Sequence, residues 1–466
     1  MKKSYSEDTI AAISTPVGEG GIGIVRLSGP KALKIADSIF LSREGDKPSG
    51  FKTYTTHYGH IVDRQKTKGI VIDEVILTVM KAPRSYTRED VVEINCHGGI
   101  QAVKKVFELV IKNGARVAQP GEFTKRAFLN GRIDLAQAEG VLDVIRAKTE
   151  GSLKVAMSQL EGALSKKMNS IREDIINITS EVEASIDFPD EELDTKDTRG
   201  LIKKVKGVLN ELNETIGSYD DGMVFREGVL ATICGKPNVG KSSLMNLLLK
   251  RDRVIVSPIP GTTRDAVEEI INLKGIPIRL VDTAGISGRG GLLEKESVVR
   301  SKKYLELADI VLLLFDGSTE IEKEDRDIVR LVGDKKKLII INKCDLAKKT
   351  DVKTLRGIFK NEKIIEISVE KKKNIKLLEN AMVEMVWAGH FAQGESAIVS
   401  NARHKELLDK SLESMLSVKK ALESGAGAEI VAIDLKETIY DLGLIVGKSV
   451  SDDILDRIFE QFCIGK

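Results

Sequence analysis

The chain has 466 residues, of which 42% are hydrophobic and 30% are charged, and its formal net charge is only +2. At roughly 150 residues per domain this length suggests about three domains, and the balance of apolar and charged residues excludes a chain that is disordered throughout. The near-neutral charge gives no overall sign of nucleic-acid binding, although a local basic face is compatible with it. Because aromatic residues make up 4% of the sequence, a wide surface for stacking bases is not expected.

Cysteine spacing and hydropathy bear on the cellular compartment. The four cysteines, Cys96, Cys234, Cys344 and Cys463, are widely separated and form no CxxC pair. Neither a disulfide framework nor a zinc site built from cysteines is therefore expected. The first residues lack the apolar stretch of a secretory signal peptide, and no run of about 18 apolar residues follows. The sequence thus predicts a cytoplasmic protein that does not associate with a membrane.

Residues 1–118 are predicted to form a mixed α/β domain. They combine apolar runs typical of strands with one segment, residues 101–112, in which apolar side chains recur at helical spacing. The predicted strands cover residues 22–27, 71–80 and 91–94.

Two separated regions are predicted to be helical. In residues 119–220 glycine and proline become rare and apolar residues recur at helical spacing, and the same pattern returns in residues 386–466. Both regions are assigned to one helical domain, whose second part ends in the tail CIGK. The helices predicted in the first part cover residues 136–148, 153–178 and 201–216.

Residues 221–385 alternate strands with helices. Several of the strands are continuous β-branched runs, as in a parallel sheet that is buried on both faces. The simplest arrangement is an α/β domain inserted into the helical domain. The fold class is therefore multidomain, with α/β and all-α parts. The predicted strands of the inserted domain cover residues 229–234, 267–273, 278–281, 310–315, 338–341 and 364–367.

Residues 235–242, GKPNVGKS, match the pattern GxxxxGK[ST] between a predicted strand and a predicted helix. Glycines let backbone N–H groups surround phosphate oxygens, and the helix N-terminus adds the positive end of its dipole. Lys241 is predicted to neutralise the β- and γ-phosphates and the Ser242 hydroxyl to bind Mg²⁺. A chance glycine turn is the alternative, and the strand–loop–helix context argues against it. The predicted contacts in this loop are Asn238, Val239, Gly240, Lys241, Ser242 and Ser243.

A second motif, DTAG at residues 282–285, follows the next predicted strand. Alone it could be an ordinary turn, but here it comes after the phosphate loop in the order found in GTPases. Asp282 is predicted to hold Mg²⁺ through water and Gly285 to offer its N–H to the γ-phosphate, with Thr283 and Ala284 between them.

A third motif, NKCD at residues 342–345, ends another predicted strand. Asp345 is predicted to accept hydrogen bonds from N1–H and the 2-amino group of guanine. Adenine lacks both donors and would leave the carboxylate unpaired, so GTP is favoured over ATP. Lys343 is predicted to pack over the base, and Ser368 to brace it. Asn342 completes a set of three motifs that predicts a Ras-like P-loop GTPase domain.

The residues that would promote hydrolysis are less obvious. Where Ras-like GTPases have a glutamine that orients water, this chain has Ile286, which cannot hydrogen-bond. Glu294 could position water instead, although from its residue type alone a solvated carboxylate at a helix start is favoured. Thr263 is the predicted second Mg²⁺ ligand. The nucleotide contacts predicted around it are Ser257, Gly261, Thr262 and Thr263.

Segments outside these motifs make a family resemblance specific. They are residues 20–29 (GGIGIVRLSG), 82–87 (APRSYT), 89–93 (EDVVE), 97–99 (HGG), 120–124 (PGEFT), 126–130 (RAFLN), 134–139 (DLAQAE), 187–192 (DFPDEE) and 462–466 (FCIGK). With the GTPase motifs, they make the sequence resemble the MnmE (TrmE) family of tRNA-modifying GTPases over almost its full length.

The resemblance implies that the N-terminal domain forms a homodimer and binds a tetrahydrofolate one-carbon donor. The donor would be 5,10-methylenetetrahydrofolate, with 5-formyltetrahydrofolate as an analogue. The implied folate contacts are Arg26, Glu93, Arg132 and Lys466. A cationic group facing the glutamate carboxylate of folate is chemically sensible.

The resemblance also implies GTP-dependent pairing of the GTPase domains with K⁺ near the phosphates. The implied K⁺ ligands are Asn238, Thr262 and the carbonyl groups of Ser257 and Ile259. A cation there would offset the negative charge that develops during phosphoryl transfer. In this family pattern Glu294 matches the catalytic glutamate.

The C-terminal Cys463 has two interpretations. Because the resemblance brings this tail toward the folate site, the thiol could assist the modification chemistry; packing at a helix end is the alternative. A prenylation signal is not expected, since Lys466 at the terminus and the lack of a basic run fit it badly.

The function implied by the resemblance is tRNA wobble modification. With the FAD- and NADH-using partner MnmG (GidA), in a heterotetramer, the family adds an aminomethyl or carboxymethylaminomethyl group to C5 of uridine 34. The alternative is a ribosome-assembly factor or regulatory GTPase switch. For the lysine run at residues 371–373, a solvated face is favoured over direct tRNA binding.

Overall fold

The computed structural model describes residues 8–64, 69–187, 195–253, 269–282, 302–348, 350, 352–386 and 397–466. The chain divides into two compact units, one of Met1–Leu142 with Leu442–Lys466 and the other of Asp143–Asp441. The domain boundaries expected from the sequence, after residues 118, 220 and 385, are finer than this division and stay predictions.

The first unit contains a seven-stranded sheet. The order of the strands in space differs from their order in the chain. All neighbouring strands are antiparallel, except that the first and the last strand in the sequence pair in parallel. In chain order the strands are β1 (Ile10–Ile13), β2 (Gly23–Ser28), β3 (Phe40–Ser42), β4 (Thr55–Asp63), β5 (Ile70–Met80), β6 (Val91–Cys96) and β7 (Arg116–Val117). In space the order is β3-β4-β5-β6-β2-β1-β7. The sheet thus places β2 beside β6, where residues of the predicted folate site occur.

Helices of the first unit are α1 (Ala32–Ile39), α2 (Ile100–Lys112), α3 (Glu122–Leu129) and α4 (Leu135–Arg146). The apolar faces of α1 and α2 pack on the sheet, where Ile35 and Val106 join Val25 and Ile94 in one buried cluster. Their apolar residues recur at the spacing of one helix face, which explains why these segments form helices against a sheet. The helix predicted at residues 101–112 is confirmed as α2.

The second unit contains a six-stranded sheet, ordered β13-β12-β11-β8-β10-β9. All neighbours are parallel except the pair formed by the edge strand β9. Every residue of the central strands β8, β11 and β12 is buried, as expected for a sheet covered on both faces. The strands are β8 (Val229–Cys234), β9 (Glu269–Leu273), β10 (Ile276–Asp282), β11 (Ile310–Asp316), β12 (Lys337–Asn342) and β13 (Ile364–Glu366).

The helices of the second unit come from both sides of this sheet in the sequence. They are α5 (Glu150–Leu160), α6 (Ala163–Asp187), α7 (Thr195–Gly217), α8 (Tyr219–Glu227), α9 (Lys241–Asp252), α10 (Lys323–Val332), α11 (Val352–Ile358), α12 (Ile375–Val386), α13 (Ala402–Ser424) and α14 (Ala428–Val446). Helix α7 packs along α13, and in α6 the Nε–H of Arg172 donates to the carbonyl oxygen of Ile439 in α14 at 3.1 Å. Helices before and after the sheet therefore form one helical part, and the predicted combination of α/β and helical domains is confirmed.

One predicted element is wrong in its continuity. The sequence predicts a single helical stretch over residues 153–178, but the structure has two helices that separate at Glu161 and Gly162. Gly162 has a φ of 87°, a left-handed conformation in which glycine commonly ends a helix. The apolar spacing continues across the break, which is why periodicity alone did not indicate it.

The C-terminal segment belongs to the first unit. Helix α15 (Asp452–Phe459) contributes Leu455 and Phe459 to a buried cluster with Leu135 and Leu142 of α4. Beyond α15, Ile464 forms an antiparallel bridge with Pro120, so the last residues lie against the N-terminal part of the chain. None of the helices in the described ranges is long and apolar enough to cross a membrane.

Candidate functional site

The loop between β8 and α9 has the backbone of a phosphate-binding loop. Gly235 and Gly240 have φ angles of 154° and 104°. A Cβ added to Gly240 would lie 2.3 Å from Nδ2 of Asn342, and one on Gly235 would lie 2.5 Å from the carbonyl oxygen of Leu314. Both glycines are therefore required by space as well as by backbone conformation.

The Lys241 ammonium lies within this loop. Its Nζ donates to the carbonyl oxygens of Gly235 at 2.7 Å and Lys236 at 2.8 Å. Burial lowers the pKa of Lys241, and the carboxylate of Asp282 opposes that shift. A cation held at the start of helix α9 is placed for the phosphate contact that the sequence predicts.

Ser242, in the first turn of α9, meets Asp282 at the end of β10. The Ser242 hydroxyl donates to Oδ2 of Asp282 at 2.6 Å, and β10 runs in register beside β8 with Asp282 opposite Ile233. Hydroxyl and carboxylate oxygens are the donors that Mg²⁺ prefers. The structure thus brings together two residues from separate motifs that are predicted to hold Mg²⁺, and their chemistry fits the ion.

Asn342 joins two loops of the nucleotide region. Its Nδ2 donates to the carbonyl oxygen of Val239 at 2.8 Å, and its Oδ1 accepts from the backbone N–H of Val369 at 3.1 Å. The side chain is buried. Val369 makes this contact through its backbone N–H, so the contact does not depend on the side chain at position 369.

Lys343 follows Asn342 and also contacts the phosphate loop. Its Nζ donates to the carbonyl oxygen of Asn238 at 3.0 Å and to Oδ2 of Asp316 at 2.5 Å. Burial alone would raise the pKa of Asp316, but hydrogen bonds from Lys343 and Ser318 outweigh it and lower that pKa. Asp316 therefore holds the Lys343 side chain in place. Asp316 was not predicted from the sequence, although its position at the end of β11 could have indicated it.

Asp345 and Ser368 form the predicted base-recognition pair. The Ser368 side chain is fully buried, and its hydrogen bond to Asp345 lowers the pKa of that carboxyl. An ionised Asp345 is an acceptor only, as recognition of two N–H donors requires. The hydroxyl of Ser368 also accepts from the backbone N–H of Lys371 at 3.0 Å.

Lys236 is a functional candidate that sequence reasoning missed. Its Nζ lies 3.1 Å from Oε2 of Glu322 and 3.2 Å from Oδ2 of Asp325, at the start of α10. Burial would lower the pKa of Lys236, but these two carboxylates raise it on balance. This ion-pair network links the phosphate loop to α10. No local sequence signal connects partners that are 86 residues apart.

Several predicted residues lie outside the described part of the chain. They are Ser257, Ile259, Gly261, Thr262, Thr263, Thr283, Ala284, Gly285, Ile286 and Glu294. Of the predicted K⁺ ligands, Asn238 is described; it is exposed and has a φ of 65°.

A second group of predicted residues meets in the first unit. Arg26 and Glu93 are direct partners across β2 and β6, and Nε of Arg26 lies 2.7 Å from Oε1 of Glu93. Nη1 of Arg26 donates to the carbonyl oxygen of Gly465 at 3.2 Å. Burial lowers the pKa of the adjacent Lys466, and Arg26 adds to that shift. The C-terminal tail therefore lies beside Arg26 and Glu93, two of the folate contacts that the resemblance implies.

Arg132 lies on an aromatic ring. Its guanidinium carbon is 4.7 Å from the ring centroid of Tyr86, and the Tyr86 hydroxyl pairs with Oγ1 of Thr124 at 2.9 Å. Burial raises the pKa of Tyr86, whereas Arg132 and Arg26 both lower it. Two of the three cations in the predicted folate set therefore affect Tyr86.

Cys463 is exposed. Its carbonyl oxygen accepts from the backbone N–H groups of Gly121 and Lys466, both at 3.3 Å, and its thiol is close enough to influence the pKa of Lys466. The role of this thiol in the modification chemistry stays a prediction.

Two family models match the chain. The model described as the MnmE helical domain matches residues 135–463, and the model described as the GTP-binding protein TrmE N-terminus matches residues 9–132. This chain belongs to the MnmE family. Together the two matches include every site residue discussed above except Lys466, which lies three positions beyond the second boundary of the helical-domain match.

Two relatives match the chain over almost its full length. A protein named tRNA modification GTPase MnmE from Carboxydothermus hydrogenoformans is 49% identical over 99% of this chain and 100% of its own length. A protein of the same name from Alkaliphilus oremlandii is 47% identical over 99% of this chain and 100% of its own length. The chain is accordingly a GTP-hydrolysing enzyme of tRNA modification.

Among solved structures, Aquifex aeolicus Era bound to GDP and AlF₄⁻ is 28% identical over 40% of this chain and 66% of that chain. The TM-score is 0.28, so the family assignment depends on the family models and the relatives.

Proposed function

We propose that this MnmE-family enzyme couples GTP hydrolysis to the addition of an aminomethyl or carboxymethylaminomethyl group at C5 of uridine 34. In this proposal 5,10-methylenetetrahydrofolate supplies the one-carbon unit, and an FAD-dependent partner of the MnmG (GidA) type acts with the chain in a heterotetramer. GTP hydrolysis drives domain movements rather than the bond-making itself. A GTPase switch is the alternative.

The observation that favours modification over a switch is the arrangement of Arg26, Glu93 and Lys466. A switch needs only the nucleotide loops, whereas this second polar group is built from two strands and the C-terminal tail. The Glu93 carboxylate can accept hydrogen bonds from N–H groups of a pterin, and the two cations suit anionic groups of a folate. Arg132, held on Tyr86, is the fourth proposed contact.

The nucleotide residues act by binding and orienting. Lys241 neutralises phosphate charge, Asp345 selects guanine, and Asn342 holds the two loops together. Ser242 would hold Mg²⁺, which offsets charge on the phosphate oxygens when it is bound. Asn238 is the proposed K⁺ ligand among the described residues.

The test is mass spectrometry of wobble nucleosides from cells that lack the chain and carry plasmid-borne variants. We expect the C5 groups to disappear on deletion and to return with the unmodified chain and with Arg43→Gln, an exposed arginine of the same unit. Lys241→Ala and Arg26→Gln should each fail to restore them. If Arg26→Gln restored full modification while Lys241→Ala did not, a folate site at Arg26 would be wrong.

The proposed K⁺ dependence and dimerisation have separate readouts. GTPase rates measured in KCl and in NaCl at equal ionic strength should differ, and Asn238→Ala should remove the difference. Light scattering should give the mass of a dimer without nucleotide, because the N-terminal domain is proposed to hold the two copies together. Equal rates in both salts would exclude the K⁺ role, and a monomeric mass would exclude the dimer.

A further inference from the structure

A cavity of about 470 Å³ in the first unit is lined by three arginines, Arg84, Arg88 and Arg132, together with Tyr54 and Tyr86. Small-molecule sites commonly have volumes of about 300–1,000 Å³. Only Arg132 belongs to the predicted folate contacts, so the other two arginines are without an assigned role.

The cavity is strongly cationic. Its lining contains no aspartate or glutamate, and across the described ranges none of these three guanidinium groups is within ion-pair distance of a carboxylate. Clustered positive charge in a concave site concentrates anions. A ligand with several negative groups is therefore the chemical match.

Two of the three arginines, Arg88 and Arg132, are held in place by contacts within the protein. Nη1 of Arg88 donates to the carbonyl oxygen of Asn130 at 2.8 Å, and Nδ2 of Asn130 donates back to the carbonyl oxygen of Thr87 at 2.7 Å. These reciprocal bonds join the loop before β6 to the loop after α3. Arg132, in that second loop, lies on the Tyr86 ring. A site fixed before binding loses less entropy when its ligand arrives.

The backbone around the cavity is strained in two places. Arg88 has a φ of 59° and Tyr54 a φ of 61°, in a region that residues other than glycine seldom adopt. Such strain persists where surrounding contacts enforce it, and it clusters at ligand sites. Tyr54 is also 63% exposed, which places an aromatic ring at the rim.

The cavity adjoins the proposed folate site through Tyr86. Tyr86 packs against the cluster that contains Phe123, and the Arg26 guanidinium carbon lies 5.7 Å from the centroid of that Phe123 ring. A ligand held by Arg26 and Arg132 would therefore have its anionic end next to Arg84 and Arg88.

We infer that this cavity binds the γ-linked glutamate chain of a polyglutamylated tetrahydrofolate, with Arg84 and Arg88 contacting carboxylates beyond the first glutamate. This inference rests on the proposed folate function. Carboxylates match guanidinium groups in a planar, two-bond geometry, and each added glutamate brings one. RNA phosphates are the competing anions; a concave cavity beside a predicted folate contact favours the shorter, flexible oligocarboxylate.

The test compares tetrahydrofolate monoglutamate with tetrahydrofolate triglutamate in calorimetric titrations of the full chain. We expect the triglutamate to bind on the order of tenfold more tightly, since two added exposed ion pairs contribute modestly. Added salt should narrow the difference because the arginines are exposed. In Arg84→Gln and Arg88→Gln the ratio of the two Kd values should fall toward one.

The controls separate the possible failures. Arg43→Gln removes an exposed arginine elsewhere in the same unit and should keep the full ratio, while Arg88→Lys should keep part of it. Equal Kd values for both folates in the unmodified chain would overturn the glutamate-chain inference and leave the folate site intact. Binding of neither folate would overturn both. An unchanged ratio in Arg84→Gln and Arg88→Gln, with weaker binding of a tRNA anticodon stem-loop, would assign the cavity to RNA phosphates instead.

Discussion

The buried amide of Asn342 donates to the carbonyl oxygen of Val239 at 2.8 Å, so the guanine motif holds the phosphate loop directly. Its other amide atom accepts from the loop that carries Ser368. One side chain thus connects the phosphate loop, the NKCD motif and the loop of Ser368, and the first two are 103 residues apart. Nucleotide affinity should depend on this link even though Asn342 is not a phosphate ligand.

Replacing Asn342 with alanine should weaken binding of both GDP and GTP. The change removes two hydrogen bonds and leaves buried backbone groups unpaired, a cost of about 1–3 kcal/mol. That corresponds to roughly tenfold to hundredfold in affinity, measured by titration with a fluorescent guanine nucleotide. The matched control is Asn401→Ala, which removes the N-cap of α13. It should lower the melting temperature without changing nucleotide affinity, and equal loss of affinity in both variants would contradict the link.

Asp345→Asn should change base preference rather than abolish binding. An amide places one donor where the carboxylate offers only acceptors, so it matches xanthine, which has an oxygen in place of the 2-amino group of guanine. We expect GTP hydrolysis to fall sharply and XTP hydrolysis to appear. Retained GTP preference would show that Asp345 does not contact the base.

Ser368→Ala should raise the pH below which the affinity for GTP is lost. The hydrogen bond from Ser368 lowers the pKa of Asp345, so affinity is present above that pKa and is lost as pH falls through it. Without the hydroxyl the pKa returns toward 3.8, and affinity should be lost at a higher pH than in the unmodified chain. Titrations between about pH 2.5 and pH 6 cover carboxyl pKa values below and above the ordinary one, with circular dichroism to confirm folding. A shift to lower pH would contradict the assignment.

The motifs of the nucleotide site could be recognised in the sequence because they are local. Strand, loop and helix occur in one short stretch around Lys241, and each motif follows a buried β-branched strand. Arg26 and Glu93 were identified only through the family resemblance, as folate contacts, and their ion pair was not predicted. Their pairing depends on the register between β2 and β6, which no local pattern specifies.

The helix break at Gly162, strand β4 and the ion pairs of Lys236 could not be predicted from the sequence. The break at Gly162 follows from one left-handed residue inside a continuous apolar pattern. The first half of strand β4 alternates half-buried and exposed residues such as His57 and Tyr58, so it lacks the apolar run that identified its neighbours. The partners of Lys236 lie in a helix that only tertiary structure brings close.

Lys236→Met should speed nucleotide release. The variant leaves Asp325, which is 4% exposed, without its ammonium partner, and it frees the phosphate loop from α10. Because the pair with Glu322 is largely exposed, most of the effect should come from Asp325, at about 1–3 kcal/mol. This buried carboxylate would keep only its hydrogen bond from the backbone N–H of Glu322. Stopped-flow release of a fluorescent GDP analogue measures it. Lys323→Met, an exposed lysine at the start of α10, should leave the release rate unchanged; equal rates in all three proteins would exclude the anchoring role.

Arg126→Met should lower the free energy of unfolding more than any substitution of a nucleotide-site residue. Arg126 is 4% exposed and contacts Asp8, Glu89 and Glu122, and removing one member of a buried ionic group costs about 3–5 kcal/mol.

Burial alone would raise the pKa of Glu122, but hydrogen bonds from Arg116 and Arg126 lower it on balance. The stabilisation is therefore complete above the ordinary carboxyl range and is lost as pH falls through the lowered pKa. Denaturant unfolding of the full chain at neutral pH and at about pH 4 should show a large difference between Arg126→Met and the unmodified chain at neutral pH and a smaller one in acid. Arg43→Met should unfold like the unmodified chain at both pH values. A difference that grew in acid would mean that the carboxylates of this cluster are not held ionised by Arg126.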